Sequence, residues 1–279
     1  MFGFNHVGGI IGYGQMGSIE VTNCKNYGNV RIEGGSYANS GAGGIIGAVA
    51  ARIENCFNYG NIQGNGDCAG IIGVAGTMPI IDCYNEGKIE VENNHNAGGI
   101  CAYNRGGEMQ IINCYNKGEI KGFGGSVAGL IGTSFGGNIE WEMSLDICNS
   151  YNVGKISGNG TVAGLLGTQG TTCAKNYVTI INSWNIGELE GNKLGGILSV
   201  IGTDYRTDTK TNIENTFYSN EVGIPEGNTY TGTIIQKSKS EFNSESFVSI
   251  LNGYKNQNGS YPTEWKTWKL GEEGYPTFE

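Results

Sequence analysis

The 279 residues include 50 Gly, 8 Cys and only 4 Pro, and their 38% of hydrophobic residues exclude an intrinsically disordered chain, which would lack the apolar residues of a packed core. The net charge of −9, with Lys and Arg scattered singly, excludes a basic surface that would hold nucleic acid. No apolar run approaches the roughly 20 residues that cross a bilayer, so we expect no membrane insertion by this segment.

The first residues, "MFGFNHVGGI", lack the basic start and apolar core of a signal peptide. Residues 6–14, "HVGGIIGYG", already contain the first copy of a phrase that recurs along the chain as "AGGIIG", "AGLIG" and "AGLLG". The sequence therefore starts inside a repeat array. We expect a longer precursor whose signal and anchoring segments lie elsewhere.

A second phrase follows each of these copies and defines the repeat unit. It reads Val or Ile, any residue, Asn, a small residue, an aromatic residue, Asn, any residue, Gly. Its columns are a first amide column (Asn23, Asn55, Asp82, Asn113, Asn149, Asn182, Asn215), a small-residue column (Cys24, Cys56, Cys83, Cys114, Ser150, Ser183, Thr216), a second amide column (Asn26, Asn58, Asn85, Asn116, Asn152, Asn185) and a glycine column (Gly28, Gly60, Gly87, Gly118, Gly154, Gly187). Such a period, with variation confined to loops, is typical of a solenoid.

The unit favours strands over helices, because its apolar residues alternate or form short β-branched runs bounded by Gly, Asn and Ser. We predict one strand around "GGIIG", one around "IxNC" and one around "GxI". Residues 1–220 would then form an all-β, right-handed parallel β-solenoid of about seven coils, stacked about 4.8 Å apart. Each column becomes a ladder in which Asn side chains hydrogen-bond from coil to coil and the repeated Gly takes positive φ at the bend.

The cysteines of the small-residue column are predicted to be structural. The column continues as Ser and Thr, so the site requires a small residue and not a thiol. Disulfides between neighbouring coils are the alternative, since their Cα atoms would lie within disulfide range. We expect reduced thiols, because side chains that point in parallel hold the Cβ atoms too far apart.

The aromatic column is the candidate ligand-binding feature. Its members Tyr84, Tyr115, Tyr151 and Trp184, flanked by Phe57 and Phe217, would form a sugar-stacking stripe if they faced outward. The structural alternative is an aromatic stack beneath a loop or inside the coils.

The sequence predicts no catalytic residue, no cofactor and no metal site. His6 and His95 lie near no nucleophile motif, and no Cys or His pair has zinc-ligand spacing. The densest charged cluster is Asp204, Arg206, Asp208 and Lys210 in the loop "GTDYRTDTK". Parallel β-helices with carboxylate chemistry cleave polysaccharides, but a charged loop of this kind is more often solvated.

Residues 221–279 depart from the repeat. "KSKSEFNSESFVSILNG" predicts a short amphipathic helix that presents Phe247, Ile250 and Leu251 and ends at Gly253. The following Trp265, Trp268, Tyr275 and Phe278 are aromatic. We predict a small C-terminal cap over the apolar end of the last coil; an aromatic binding site is the alternative.

The phrases "GGIIGYG", "AGGIIGAVA", "AGLIGTS" and "AGLLGTQ", with "NCYNKG"-like text after them, resemble the GLUG-type repeats of bacterial surface proteins. These include adhesin-like proteins of Gram-positive gut bacteria and some IgA-cleaving metallopeptidases. The resemblance covers about residues 6–220 and implies a non-catalytic, extracellular or cell-wall-associated module. No His-Glu-x-x-His zinc motif is present.

We therefore expect a monomeric stalk or adhesion scaffold whose partner is a glycan or a surface protein of a host or neighbouring cell. A carbohydrate-binding or carbohydrate-cleaving β-helix, and a non-catalytic region of a larger surface peptidase, are the two alternatives.

Overall fold

The computed structural model describes residues 1–14, 19–34, 40–77, 79–135, 140, 142–170, 173–202, 207–219, 229–256, 258–260 and 262–279. Three parallel β-sheets, here called A, B and C, run along the solenoid and form the sides of its coils. A short antiparallel pair, Trp268–Leu270 with Pro276–Phe278, and two helices lie in the C-terminal segment.

Sheet B takes one strand from each coil, and its seven strands are separated by six steps along the solenoid. These strands are Ile11–Tyr13, Ile46–Val49, Ile72–Ala75, Cys101–Asn104, Ile131–Ser134, Leu166–Gln169 and Leu198–Ile201. The predicted all-β, parallel β-solenoid is confirmed.

Sheet C takes two strands from most coils, one on each side of the first amide column. The leading strands are Ile19–Thr22, Ala51–Glu54, Ile80–Ile81, Gly107–Ile112, Glu142–Cys148, Lys175–Ile181 and Asp208–Tyr218. The trailing strands are Lys25–Asn26, Phe57–Asn58, Tyr84–Asn85, Tyr115–Asn116, Tyr151–Asn152 and Trp184–Asn185, and Thr231–Gln236 pairs with the last leading strand.

Sheet A also has two columns of strands. The first is Phe2–Gly3, Val30–Ile32, Ile62–Gly64, Ile89–Val91 and Ile120–Gly122; the second is His6–Gly8, Gly41–Gly43, Asp67–Ala69, Ala97–Gly98 and Ser126–Ala128. The long strands Ile156–Ala163 and Leu189–Gly195 span both columns.

The "GGIIG" phrase forms a corner and not the single strand predicted from sequence. In the second coil the chain leaves sheet A after Gly43, bends, and enters sheet B at Ile46. The glycine in the bend is required by close approach: a Cβ on Gly44 would lie 2.2 Å from Oδ1 of Asn58 and 2.2 Å from the Gly70 carbonyl oxygen. The same approach recurs at Gly70 against Asn85. The two phrases of the repeat therefore occur together because glycine in one makes room for the amide of the other.

The left-handed turns lie at the first amide column and not, as predicted, at the glycine column. Asn23, Asn55, Asp82, Asn113, Asn149, Asn182 and Asn215 have φ between 45° and 58°, a conformation that Asn and Asp tolerate better than other side chains. The repeated Gly has a different role. A Cβ on Gly60 would lie 2.1 Å from the carbonyl oxygen of Gly28 in the preceding coil, so the column needs glycine because of stacking.

The two amide columns are hydrogen-bonded ladders of opposite direction. In the first, each later Asn donates to the residue one coil earlier, as from Nδ2 of Asn182 to Oδ1 of Asn149 at 2.8 Å, whereas Asp82 only accepts, from Asn113. In the second, each earlier side chain donates to the next, as from Nδ2 of Asn58 to Oδ1 of Asn85 at 2.7 Å. Each donor of the second ladder, from Asn26 to Asn152, also donates to the carbonyl oxygen two residues later. These contacts satisfy polar groups inside the coils.

Two apolar clusters fill the coils. One lies between sheets B and C and includes Ile46, Ile53 and Cys56; the other lies within sheet A and includes Val30 and Ile62. The second amide ladder separates them along the chain, since Asn58 follows Cys56 and precedes Ile62.

The described part of the C-terminal segment contains two short helices where the sequence predicted one. Helix α1 is Lys239–Phe242 and helix α2 is Glu245–Asn252. Ser244 caps α2 by accepting a hydrogen bond from Phe247 N, which starts a new helix after α1 ends. The inward side chains of α2 are Phe247, Val248 and Leu251, whereas Ile250 is 40% exposed.

The predicted small C-terminal cap is confirmed, and it packs along the side of the later coils as well as on the last one. Phe247 packs against Phe217 at 4.9 Å between ring centroids, and Phe278 packs against Tyr151 at 5.6 Å. Lys266 reaches as far back as Asp82, with Nζ 3.2 Å from Oδ2. The domain boundary predicted at 220/221 lies outside the described residues.

Candidate functional site on the aromatic flank

The aromatic column is a continuous stack of rings along sheet C. Successive centroids from Phe57 through Tyr84, Tyr115 and Tyr151 to Trp184 are 4.2, 4.6, 4.9 and 4.4 Å apart, with interplanar angles of 10–20°. Parallel strand register causes this stacking, because it places each ring directly beside its counterpart one coil away.

The stacking decides what the column can bind. Sugars pack on the faces of aromatic rings, but here each interior face already contacts the next ring. Only ring edges point away from the coils. The geometry therefore supports edge contacts from apolar or aromatic side chains better than the sugar-stacking stripe considered from sequence.

The C-terminal segment makes such edge contacts over half of the column. Tyr151 and Trp184 are fully buried beneath it. Trp268 packs against Tyr151 at 5.7 Å and against Trp184 at 6.1 Å, both at tilts above 50°. Burial raises the pKa of the Tyr151 hydroxyl, which is hydrogen-bonded to Thr277. Tyr115 also contacts Phe278, with ring centroids 6.3 Å apart, so three of the four predicted ligand-binding residues are part of an intramolecular interface.

The N-terminal part of the column is open. Phe57 and Tyr84 are half-buried, and Lys25 places Nζ 5.4 Å from the Phe57 ring. A second stacked pair, Tyr27 with Tyr59 at 4.8 Å, lies alongside, and the hydroxyls of Tyr59 and Tyr84 are hydrogen-bonded. The structure therefore adds a tyrosine pair that column-by-column reading of the sequence missed, although the spacing "NYG" in two successive units signals it.

The cysteine column forms a hydrogen-bonded ladder of free thiols. Cys83 Sγ accepts from Cys56 N at 3.4 Å and donates to the Ile81 carbonyl oxygen at 3.1 Å. Ser150 Oγ makes the same pair of contacts, with Cys114 N and the Cys148 carbonyl oxygen. A small side chain with one donor and one acceptor fits every position, which explains why the column contains Cys in the earlier coils and Ser or Thr in the later ones. Burial raises the pKa of Cys83, which keeps this thiol protonated and unreactive.

We expect all eight cysteines to be reduced in the purified protein, since none of them forms a disulfide in the structure. In the native state, iodoacetamide should modify partly exposed Cys24 well before the fully buried Cys83 and Cys114. Mass spectrometry under non-reducing conditions measures both. Disulfides joining Cys56, Cys83 and Cys114 to other cysteines would contradict the ladder.

A buried polar cluster that sequence reading missed lies beside sheet A. Asp67 is 6% exposed, and its Oδ1 accepts hydrogen bonds from the backbone N and Nδ2 of Asn96 at 2.8 and 3.0 Å. Asn96 Oδ1 in turn accepts from Thr133 Oγ1 at 2.9 Å. His95 Nδ1 lies 3.9 Å from the Asp67 carboxylate. Among the hydrogen bonds of the described residues, none joins His95 to a hydroxyl or thiol, so the pair has no nucleophile to activate.

Asp67→Asn should stabilise the protein more at pH 8 than at pH 4. Burial raises the pKa of Asp67, and the Asn96 N–H groups and His95 oppose it in part. Because the folded pKa is raised, the stability that the protonated carboxyl contributes is present at low pH and is lost as pH rises through that pKa. Thermal midpoints across pH, with exposed Glu20→Gln as the control, test this. A difference between variant and wild type that does not change with pH would contradict it.

In the described part of the charged loop, Asp208 and Lys210 lie at the surface. Lys210 Nζ lies 3.2 Å from Oδ2 of Asp208 and 4.5 Å from the ring of Tyr177, and both charged side chains are about half or more exposed, at 64% and 49%. Exposed pairs of this kind contribute little energy. Asp204 and Arg206 of the same predicted cluster lie outside the described residues.

Across the residues that the structure describes, no three or more His, Cys, Asp or Glu side chains converge as metal ligands. Neither helix among these residues has the length and apolar composition to cross a bilayer.

The stacked coils of parallel strands place this chain in the class of parallel β-solenoid repeat proteins. No protein-family model matches the sequence, and no curated protein matches it. The fold is similar to the crystal structure of a candidate immunoglobulin A1 protease from Bacteroides ovatus, with a TM-score of 0.63 and 18% sequence identity over 94% of this chain and 86% of that chain. At this identity the likeness shows a shared fold alone, and the resemblance to GLUG-type repeats stays a prediction.

Proposed function

We propose that this protein is a non-catalytic repeat module of a secreted or cell-surface bacterial protein, where it acts as a rigid stalk and binding scaffold. One observation carries the proposal: the repeated residues are occupied by contacts between coils. Asn side chains bind Asn side chains, thiols bind backbone groups, and the aromatic rings stack on one another. A sequence that repeats these residues specifies a rod and not an active site.

The surface location is supported by the resemblance of the "AGGIIG" and "NCYNKG" phrases to repeats of exported proteins. The adhesion role is supported by the open N-terminal part of the aromatic flank, where half-buried rings border exposed Lys25 and Tyr27. Exposed apolar patches on soluble proteins commonly mark interaction sites.

Association with a peptidase is the second candidate, because the structural neighbour is described as a candidate immunoglobulin A1 protease. Incubation of the purified chain with immunoglobulin A1, and separately with a polysaccharide panel in a reducing-sugar assay, tests for catalysis. We expect intact immunoglobulin and no reducing ends. Cleavage of either substrate that persists after repurification would overturn the non-catalytic assignment.

A further inference from the structure

Residues 264–268 run along the first amide ladder as a strand runs along a sheet edge. Asn113 donates from Nδ2 to the carbonyl oxygen of Glu264 at 2.9 Å and accepts at Oδ1 from Lys266 N at 3.0 Å. Asn149 donates to the carbonyl oxygen of Lys266 at 2.9 Å and accepts from the indole N–H of Trp268 at 2.6 Å. A side-chain amide has the donor and acceptor of a peptide group, so the ladder pairs with an extended backbone.

The aromatic column lies beside the ladder and receives the large side chain of the same segment. Trp268 fills the space against the edges of Tyr151 and Trp184 and is 1% exposed. The flank thus recognises an extended chain by two features together: outward amides bind its backbone, and ring edges bind an aromatic side chain. This combination resembles strand addition with side-chain pockets.

The same two features continue beyond the part that the C-terminal segment occupies. Asn55 has φ of 54°, as Asn113 has, and its Nδ2 donates to Oδ1 of Asn23 one coil earlier, as Nδ2 of Asn113 donates to Oδ1 of Asp82. Phe57 and Tyr84 continue the ring column in register with Tyr115. In the hydrogen bonds and ion pairs of the described residues, contacts from the C-terminal segment reach Asp82 and none reaches Asn55 or Asn23.

We propose that Asn23, Asn55, Phe57 and Tyr84, here called the open track, bind an extended segment of another protein that carries a large aromatic side chain. The partner's backbone pairs with the Asn23 and Asn55 amides, and its aromatic side chain packs against the edges of Phe57 and Tyr84. This rests on the proposed scaffold function and names its partner class. The covered ring faces make a glycan the less suitable ligand.

A peptide that copies residues 262–270, PTEWKTWKL, is the probe, because its backbone and Trp side chains are those the flank already accommodates. Labelled at its N-terminus and titrated with the full chain, it should show saturable fluorescence anisotropy. A peptide with both Trp replaced by Ala should bind about tenfold more weakly or worse.

Two variants place the binding on the open track. Asn55→Asp removes the amide donor but keeps an acceptor, and Asp82 shows that the ladder accommodates Asp at φ of 54°. Phe57→Ala removes a ring edge. Each should weaken binding about tenfold while far-UV circular dichroism stays native. Gln63→Ala, an exposed change on sheet A, should leave binding unchanged.

Three results would overturn the proposal. Absence of saturable binding, or binding that neither variant weakens, would remove the open track as the peptide site. Self-association of the chain that Phe57→Ala abolishes would assign the surface to a second copy. Glycan-array binding that Phe57→Ala abolishes would assign it to a sugar. None of these results bears on the catalytic assays, so failure here is distinguishable from failure of the scaffold assignment.

Discussion

Asn116→Leu should lower the free energy of unfolding by about 3 kcal/mol or more, because it removes one rung of the buried amide ladder. Asn116 is fully buried. It accepts from Asn85 Nδ2 at 2.8 Å, and it donates to Asn152 Oδ1 at 2.8 Å and to the Gly118 carbonyl oxygen at 2.9 Å. Leu has the same number and branching of side-chain heavy atoms but leaves these groups without their partner. The two methyl groups of Leu must also fit beside Gly99. This space is narrow, because a Cβ added to Gly99 would lie only 2.5 Å from Asn116 Cβ.

Chemical denaturation and thermal melting measure this loss, which corresponds to a midpoint decrease of roughly 6–12 °C. Gln63→Leu is the matched control, since it removes an exposed amide from sheet A and should change stability by at most about 0.5 kcal/mol. Lys117, the next residue, is not a neutral control, because its Nζ is 3.0 Å from Glu273 Oε2 and lies near the Tyr115 and Tyr275 rings. Equal midpoints for Asn116→Leu and Gln63→Leu would show that the ladder does not stabilise the coils.

Deletion of residues 237–279 should make the protein associate or aggregate while its β-sheet circular dichroism persists. The deletion uncovers Tyr151, Trp184 and Phe217, which are at most 1% exposed in the intact protein. Burial of each such side chain contributes on the order of 1.5–3 kcal/mol, so their exposure creates a large apolar patch. The coils themselves remain, because each is supported mainly by its neighbours.

Light scattering and far-UV circular dichroism on the same samples separate the two effects. Trp268→Ala should give an intermediate result, since it removes one ring and the indole hydrogen bond to Asn149 but leaves α2 on Phe217. A deleted protein that stays monomeric and fully folded would show that the segment does not protect the flank. Loss of all β-sheet signal would show that the coils depend on it for folding.

The repeat columns determine the coil and its register without tertiary information. A column that changes from Cys83 and Cys114 to Ser150 can be read as a structural position because hydrogen bonding, not thiol chemistry, is what the residues share. The fold class followed from this reading and is confirmed. The predicted left-handed position was wrong, because the sequence shows both Asn55 and Gly60 at invariant spacing and either residue tolerates positive φ. Gly60 is instead required by its close approach to Gly28 in the preceding coil. The two residues are 32 positions apart, so the local sequence does not show this contact.

Contacts between distant segments were decided only by the tertiary structure. The sequence shows an aromatic column and an aromatic C-terminus, but nothing local indicates that the cap extends back along the coils and packs Trp268 on Trp184 and Tyr151. The sequence likewise did not predict the cluster of Asp67, His95 and Thr133, since it joins residues from three coils that are far apart along the chain. A solenoid repeats its nearest-neighbour contacts, so sequence alone determines those; the docking of the non-repeating segment depends on surface complementarity that arises only after the coils have stacked.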